Sequence, residues 1–217
     1  MNKINIAVDG PAAAGKSTIA KLVAAKLNMV YVDTGAMYRA ITLAHLAQPE
    51  VDFDTLVQNI DLKIVNDNGQ KIFLNGEDVS ERIRENDITS NVSYVASQKV
   101  VRDKLVGIQQ EMTAAKGVVM DGRDIGTHVI PNAELKIYMI ASVTERAERR
   151  LLDNKSRGIE ANFDDLVKDI ERRDHIDMTR DISPLVKAHD AIEIDTTGMT
   201  INEVTNEIIR LANKIDA

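Results

Sequence analysis

Residues 4–18 of the chain read INIAVDGPAAAGKST, and this stretch decides the fold. Its first half alternates in the manner of a short buried strand, with Ile4, Ile6 and Val8 on the apolar side. Residues 10–17 then match the pattern G-x-x-x-x-G-K-[ST]. Apolar residues recur at helical spacing beyond the loop. The stretch therefore predicts a strand, a glycine-bounded loop and a helix, in that order.

The loop has the composition that phosphate binding requires. Small residues let backbone N–H groups turn inward around a phosphate, and the following helix presents its N-terminus to the same anion. Lys16 reaches the outer phosphates in loops of this pattern, and the Ser17 hydroxyl holds Mg²⁺. A chance match in a turn of small residues is the alternative, which the strand and helix flanks disfavour. The predicted phosphate-binding residues are Gly10, Pro11, Ala12, Ala13, Ala14, Gly15, Lys16, Ser17 and Thr18.

Composition limits the function classes. The 217 residues suffice for one α/β domain with an insertion. A formal net charge of −7 argues against general nucleic-acid binding. The chain has no cysteine, which excludes disulfides and thiolate metal sites and fits a reducing cytosol. It shows neither a signal-peptide apolar region nor an apolar run of about 20 residues, so we expect a cytoplasmic protein without a membrane span.

A second motif follows residues 29–32, which are predicted to form a short buried strand. It reads DTGAMYR at residues 33–39 and begins a helix that Thr34 can cap. Because ligands bind at the carboxyl ends of strands in open α/β sheets, we expect this helix start near the phosphate-binding loop. Arg39, about one turn into the helix, is either an anion contact or an ordinary exposed arginine.

Residues 61–87 differ from their surroundings. Two alternating segments, 62–65 and 71–74, are each followed by a turn, at residues 67–69 and at 75–76. The pattern predicts a small antiparallel sheet inserted into a β-α-β chain. Such an insertion at the ligand edge is either a mobile flap or a decorative subdomain.

Another buried strand, at residues 117–121, ends in the sequence DGRDIGT at residues 121–127. In a chain with a phosphate-binding loop, Asp121 is positioned like the aspartate that supports Mg²⁺. Arg123 and Asp124 would point into the same cleft. A turn residue without function is the alternative for an aspartate at a strand end.

The helix predicted after residue 142 carries three arginines on one face, Arg146, Arg149 and Arg150. Residues 153–162 form a predicted polar loop behind it, and a helix over 163–175 follows, capped by Asn162. A basic helix end with such a loop can close over a polyphosphate, although a charge run is usually a solvated face. A last strand at 191–195 completes five strands separated by helices, which indicates an α/β fold with a parallel sheet.

Taken together, the chain resembles the bacterial cytidylate kinases over essentially its whole length. The resemblance rests on DGP at 9–11, GKST at 15–18, DTGAMYR at 33–39, GEDV at 76–79, DGRDIGT at 121–127, and the segment from RRD at 172–174 through Arg180 to PL at 184–185. Two departures are visible. Ala13 stands where many members have glycine, so we expect a negative φ there, and His128 stands where a branched apolar residue is common.

The resemblance implies a P-loop three-layer fold with five parallel strands. It places the kinase core at residues 1–60 and 88–217, with a lid at about 153–162, and the inserted monophosphate-binding domain at 61–87. It implies transfer of the γ-phosphoryl group of ATP to CMP or dCMP with Mg²⁺, in pyrimidine nucleotide metabolism. We expect a monomer whose partners are small nucleotides.

The resemblance also implies roles for individual residues. The positions that match cytosine contacts are Thr34, Ser97, Arg102, Asp124 and Arg180. Arg39 and Arg123 match the positions that hold the acceptor phosphate, and Arg173 and Asp177 match those that hold the sugar. The catalytic cations are Lys16, Arg123, Arg149 and Arg150, with Arg157 also in the lid region. Ser17 and Asp121 are the predicted Mg²⁺ positions.

Three other functions remain open at this level. Another small-molecule kinase, acting for example on adenylate or shikimate, would differ in its acceptor pocket. A GTPase-like switch is disfavoured, because N-K-x-D at 213–216 lies at the end of a predicted helix instead of after a strand. A non-catalytic nucleotide-binding module is disfavoured by the number of arginines expected in the cleft.

Overall fold

The structure, a computed structural model, describes residues 3–66 and 69–215. The strands are β1 (Ile6–Asp9), β2 (Val30–Asp33), β3 (Leu62–Asn66), β4 (Gln70–Leu74), β5 (Glu77–Asp78), β6 (Val118–Gly122), β7 (Leu135–Ile140) and β8 (Ile192–Asp195). The helices are α1 (Lys16–Leu27), α2 (Thr34–Ala47), α3 (Phe53–Asn59), α4 (Asn86–Ala96), α5 (Lys99–Thr113), α6 (Val143–Ser156), α7 (Phe163–Thr179) and α8 (Ile201–Ile215). A 3₁₀ turn at Arg82–Arg84 and a π-helical turn at Ile125–Val129 complete the regular structure.

Five strands form one parallel sheet in the order β2-β6-β1-β7-β8. The register pairs Asp9 with Gly122 and Asp33 with Asp121, so three acidic residues at strand ends lie along one edge. Helices cover both faces, as parallel sheets require. On one face α1 and α8 pack on Ile6 and other apolar residues of the sheet, and a second cluster around Met120 fills the other face. The predicted five-stranded α/β fold is confirmed.

A small antiparallel sheet, β3-β4-β5, is inserted between α3 and α4. Asn75 and Gly76 both have positive φ, at 50° and 87°, which suits the predicted tight hairpin turn. The other predicted turn includes residues 67 and 68, which lie outside the described residues. The Gln70 side chain accepts from the Asp33 backbone N–H at 2.8 Å and donates to its carbonyl at 3.1 Å. The inserted sheet is thereby hydrogen-bonded to the end of β2.

Two predictions about β2 and the start of α2 are wrong. The strand at 29–32 is not buried throughout, because β2 is an edge strand and Val30 is 46% exposed. Helix α2 is capped by Asp33, which accepts the Ala36 N–H at 2.9 Å. The Thr34 hydroxyl donates instead to the Asp121 carbonyl at 2.8 Å and ties α2 to β6.

The other corrections concern the loops and the end of a helix. Ala13 has φ 58°, a left-handed conformation, where a negative value was expected. The polar loop begins only after Ser156, because α6 continues through the first residues of 153–162. Asn162 caps α7 as predicted, accepting the Asp165 N–H at 3.2 Å, but the helix continues to Thr179. Asp177 in its last turn is buried and paired with Arg123, so this polar residue does not mark the end of the helix.

Gly10, directly after β1, is required by packing. Its φ is 154°, and a Cβ at this position would overlap the backbone carbonyl oxygen of Met139 in β7. The first loop residue therefore passes too close to the neighbouring strand for any side chain. In the described part of the chain, no helix is both long and apolar enough to span a membrane.

Candidate active site

A cavity of about 750 Å³ opens at the carboxyl edge of the five-stranded sheet, between the loop, α4, α6 and α7. Most of the residues singled out from the sequence lie on its wall. They are Ala13, Ala14, Gly15, Lys16, Ser17, Thr18, Thr34, Arg39, Arg102, Asp121, Arg123, Asp124, Arg149, Arg150, Arg157, Arg173, Asp177 and Arg180. Residues from widely separated parts of the chain therefore converge on one cleft.

Four predicted residues do not line this cavity. Gly10 packs on β7, and the Pro11 carbonyl accepts a hydrogen bond from Lys16 at 2.8 Å. The Ala12 N–H donates to the Asp174 carboxylate at 3.1 Å. Ser97 lies at the end of α4, where its hydroxyl donates to the Tyr94 carbonyl at 2.7 Å. The roles expected of these four residues stay predictions.

Lys16 begins α1 and is almost completely buried. Burial, with a smaller contribution from the nearby Arg123 guanidinium, lowers the pKa of its ammonium group to about 7, although the carboxylates of Asp121 and Asp9 oppose the shift. Its Nζ folds back onto the Pro11 carbonyl, inside the loop. The site thus holds a cation whose charge is unfavourable until an anion joins it.

Asp121, at the end of β6, lies beside the loop. Its carboxylate accepts hydrogen bonds from the Ser17 hydroxyl at 3.0 Å and the Tyr31 hydroxyl at 2.8 Å. Burial, together with the neighbouring carboxylate of Asp33, raises its pKa to about 6. The Ser17 and Asp121 oxygens are ligands that suit Mg²⁺, which commonly takes one or two protein groups together with phosphate oxygens. Within residues 3–66 and 69–215, no cluster of three His, Cys, Asp or Glu is placed to hold a metal.

Asp124 is the buried acceptor of one end of the cavity. It pairs with Arg102, and both side chains are almost completely buried. Arg180 lies 4.0 Å from its other oxygen and donates to the Ser183 carbonyl through Nε at 2.9 Å. The Arg102 guanidinium lies 5.2 Å from the centre of the Tyr38 ring, a cation–π distance. A carboxylate flanked by two arginines can recognise a group that both donates and accepts hydrogen bonds.

A second cluster of charges lies on α7 and β6. Arg123 donates through Nε to Asp177 at 2.9 Å. Burial opposes the ionisation of Asp177, but Arg123, Arg180 and Arg173 outweigh it and hold the pKa of this carboxyl below its usual value. Burial also lowers the pKa of Arg173 to about 10, with Arg123 adding to the effect. The buried cations here are crowded.

Several of these cations are incompletely satisfied. The Nε atoms of Arg39, Arg102 and Arg173 are buried and have no hydrogen-bond partner among the described residues. The Arg39 guanidinium otherwise contacts Asp33 at 3.0 Å. Because a buried donor without a partner is costly, such nitrogens favour an anionic ligand in the cavity.

The three arginines of α6 separate into two environments. Arg149 and Arg150 line the cavity, and Arg150 lies 3.4 Å from the Thr89 hydroxyl of α4. Arg146 is buried behind the loop, where it pairs with Asp174 at 2.6 Å. Their shared face was predicted correctly, but position along the helix decides which of them reaches the cavity.

Other residues of the site were missed from the sequence. Asp9 is buried at the end of β1 and accepts the Ile125 and Gly126 N–H groups, both at 2.8 Å. Burial raises the pKa of Asp9 to about 6. The position of Asp9 at the end of an apolar strand is the sequence feature from which its role could have been predicted. Thr89 and Ser90 of α4 also line the cavity, and no motif marks them.

The chain matches the sequence model of the cytidylate kinase family over residues 6–214. Its fold is similar to that of an uncharacterized protein from Eubacterium ventriosum ATCC 27560, at 10% identity and TM-score 0.57, with 98% of this chain and 99% of that chain covered. It is also similar to a gluconokinase from Sinorhizobium meliloti 1021, at 13% identity and TM-score 0.51, with 99% and 94% covered. The fold is also similar to that of shikimate kinase from Acinetobacter baumannii in complex with shikimate, at 14% identity and TM-score 0.50, with 98% of this chain and 94% of that chain covered.

At these identities the solved structures show a shared fold and nothing finer. The family match goes further, because it is a match of the sequence itself, and it spans the loop, the inserted strands and helices α6 and α7. The chain belongs to the cytidylate kinase family and is a nucleotide-binding phosphotransferase.

Proposed function

We propose that the protein transfers the γ-phosphoryl group of ATP to CMP and dCMP, giving CDP and dCDP. The observation that carries this proposal is the composition of one cavity wall. The phosphate-loop residue Lys16 and the buried carboxylate of Asp124 with its two arginines line the same cavity. One end thus offers groups for a polyphosphate and the other offers groups for a polar base.

Cytosine fits the chemistry around Asp124. Its N4 amino group is a donor, and its O2 and N3 atoms are acceptors. A carboxylate can accept from N4, while Arg102 and Arg180 can donate to O2 and N3. Uracil has a carbonyl in place of the amino group and an N–H at N3. Asp124 would then face an acceptor and an arginine would face a donor, and each such buried mismatch costs about 1–3 kcal/mol.

The remaining arginines are suited to the rest of the acceptor. In the proposal, Arg39 and Arg123 hold the acceptor phosphate, while Arg173 and Asp177 hold the sugar. The unpartnered Nε atom of Arg39 supports an anionic group beside it, and the unpartnered Nε atom of Arg173 is a donor available to a sugar oxygen. The acceptor phosphate needs no general base, because its oxygen is already anionic near neutral pH, so positioning is the main task of these residues.

The donor side uses the phosphate-binding loop. Lys16, Arg149 and Arg150 offset the charge on the transferring group, and backbone N–H groups of the loop bind the phosphates. Ser17 and Asp121 are the groups that would hold Mg²⁺, and their hydroxyl-to-carboxylate distance of 3.0 Å supports this choice. When bound, Mg²⁺ neutralises phosphate charge and aligns the oxygens of the nucleotide. Closure of the inserted sheet and of residues 157–162 would exclude water.

The proposal includes a monomeric cytoplasmic enzyme of pyrimidine nucleotide metabolism whose partners are small nucleotides. The absence of cysteine supports a reducing compartment. The net charge of −7 supports the expectation that nucleic acid is not a general ligand.

Asp124→Asn tests the role of the carboxylate in base selection. Because an amide can donate as well as accept, the variant should narrow the gap between CMP and UMP, which we expect to be about 5- to 150-fold per mismatch in the unaltered protein. The measurement is kcat/KM for both nucleotides. Asp190→Asn is the control, since Asp190 pairs with buried Lys136 outside the cavity at 2.8 Å. An unchanged ratio in Asp124→Asn, with the fold intact by circular dichroism, would remove Asp124 from base recognition.

A further inference from the structure

The Ala12 peptide group is held from outside the cavity by a closed ring of hydrogen bonds. The Asp174 carboxylate of α7 accepts the Ala12 N–H at 3.1 Å through one oxygen and pairs with Arg146 of α6 at 2.6 Å through the other. The same Arg146 nitrogen donates to the Ala12 carbonyl at 2.9 Å. Its Nε donates to the Ala141 carbonyl at 3.0 Å, which fixes the guanidinium plane. One residue of the loop is thereby bonded to two helices at once.

This ring determines where neighbouring N–H groups point. A trans peptide directs its C=O and N–H in opposite directions, so a carbonyl anchored outside the loop turns the next N–H inward. Arg146 anchors the Ala12 carbonyl and thus aims the N–H of Ala13. Arg149, one turn further along α6, donates to the Ala14 carbonyl at 3.3 Å and restrains the Ala14–Gly15 peptide. Ala13 and Gly15 both line the cavity.

The residue that follows the ring is strained. Ala13 has φ 58°, a region in which residues other than glycine are uncommon because Cβ crowds the backbone. Such conformations persist where the surrounding structure over-determines them. The ring fixes the peptide before Ala13, and the Arg149 contact restrains the Ala14–Gly15 peptide, one residue further on. Without the ring, the loop is free to relax to a negative φ and to turn its N–H away from the cavity.

Arg146 and Asp174 are buried, at 5% and 8% exposure, and neither lies on the cavity wall. We propose that they are positioning residues, whose ion pair holds the strained phosphate-binding loop in its anion-binding conformation and couples α6 and α7 to it. This inference rests on the proposed use of the loop as the site of the ATP phosphates. It adds a function to residues that touch no nucleotide.

Asp174→Asn and Arg146→Lys test the proposal. Asp174→Asn removes the negative charge of the pair. Arg146→Lys keeps a cation but loses the planar guanidinium group that donates to three acceptors. Because small misplacements of binding groups are costly, each should weaken Mg²⁺-ADP binding by about 10- to 100-fold in titration calorimetry. The KM for ATP should rise with little change in the KM for CMP. Asp190→Asn, which alters the half-exposed partner of buried Lys136 away from the loop, should leave ADP binding unchanged.

A second-site variant separates positioning from general destabilisation. Glycine adopts positive φ without strain, so in an Ala13→Gly background the Asp174→Asn change should cost several-fold less ADP affinity than it does beside Ala13. Equal costs in the two backgrounds would overturn the strain argument. Unchanged ADP binding in both Asp174→Asn and Arg146→Lys would overturn the inference while leaving the proposed function standing. An unaltered protein that binds no Mg²⁺-ADP would instead overturn the proposed function.

Discussion

At the scale of single residues, the charged form of Lys16 is unfavourable in the ligand-free site. Burial and Arg123 lower the pKa of Lys16 to about 7, so its amine is mostly neutral at pH 8 when no nucleotide is bound. A bound polyphosphate favours the charged form and raises this pKa again. The lysine is therefore expected to take up its proton together with the nucleotide.

This expectation gives a pH-dependent prediction. Near pH 8, ADP binding should take up about one proton on Lys16, and this contribution of Lys16 should vanish below about pH 6, where the amine is already protonated in the ligand-free protein. Titration calorimetry in buffers of different ionisation enthalpy measures the uptake as a slope. Lys16→Met, of similar length without charge, should abolish it. A binding enthalpy independent of the buffer at pH 8 would contradict the lowered pKa.

The residue scale also shows where sequence reasoning succeeds and where it stops. The pattern G-x-x-x-x-G-K-[ST] identifies Gly10 as important, but the reason that no side chain fits there is the close approach of the Met139 backbone on another strand. The positive φ of Ala13 could not be predicted, because local propensity favours a negative value and distant contacts from α6 and α7 override it. Asp33 and Thr34 are both good caps, and the hydrogen bond from Thr34 to β6 decides between them.

At the scale of elements, we expect two segments close to the cavity to move relative to the core when substrates bind. The inserted sheet contacts the end of β2 through Gln70, and residues 157–162 connect α6 to α7. Both carry or adjoin groups proposed to contact nucleotides. Binding of both substrates should therefore bring both segments against the ligand.

Hydrogen exchange tests this closure. Strands β3 and β4 and residues 157–162 should gain protection when a non-hydrolysable ATP analogue and CMP bind together, and each ligand alone should protect less. Strands β1 and β6 serve as the internal control, because their buried central position protects them without ligand. Unchanged hydrogen exchange in β3, β4 and residues 157–162 when both ligands bind would exclude closure of these segments as part of the reaction.

The elements themselves were largely predictable from periodicity and capping. The errors concern where the elements end and which residues of other elements they contact. Helix α7, for example, continues beyond His175 because Asp177 is buried against Arg123. The contribution of α4 to the cavity was not predicted. Its apolar face identifies the side that packs on the core, but which polar residues meet a cavity depends on the placement of α6 and α7.

At the scale of the whole molecule, the sheet order brings the functional segments together. β1 lies between β6 and β7, so the loop after β1 is adjacent to Asp121 and to the Asp124 turn that follows β6. Five parallel strands could be predicted from alternating strand and helix patterns, whereas their order depends on tertiary packing. The family match over residues 6–214 covers this whole arrangement.

The central claim is that this arrangement transfers a phosphoryl group from ATP to CMP or dCMP. The most direct measurement is the coupled release of ADP with Mg²⁺-ATP and each of CMP, dCMP, UMP, AMP and GMP in turn. CMP and dCMP should support turnover well above the other three, and Lys16→Ala should lower the CMP rate on the order of 10²-fold or more while remaining folded. Equal turnover with CMP and UMP, or a folded Lys16→Ala variant with undiminished turnover, would contradict the account.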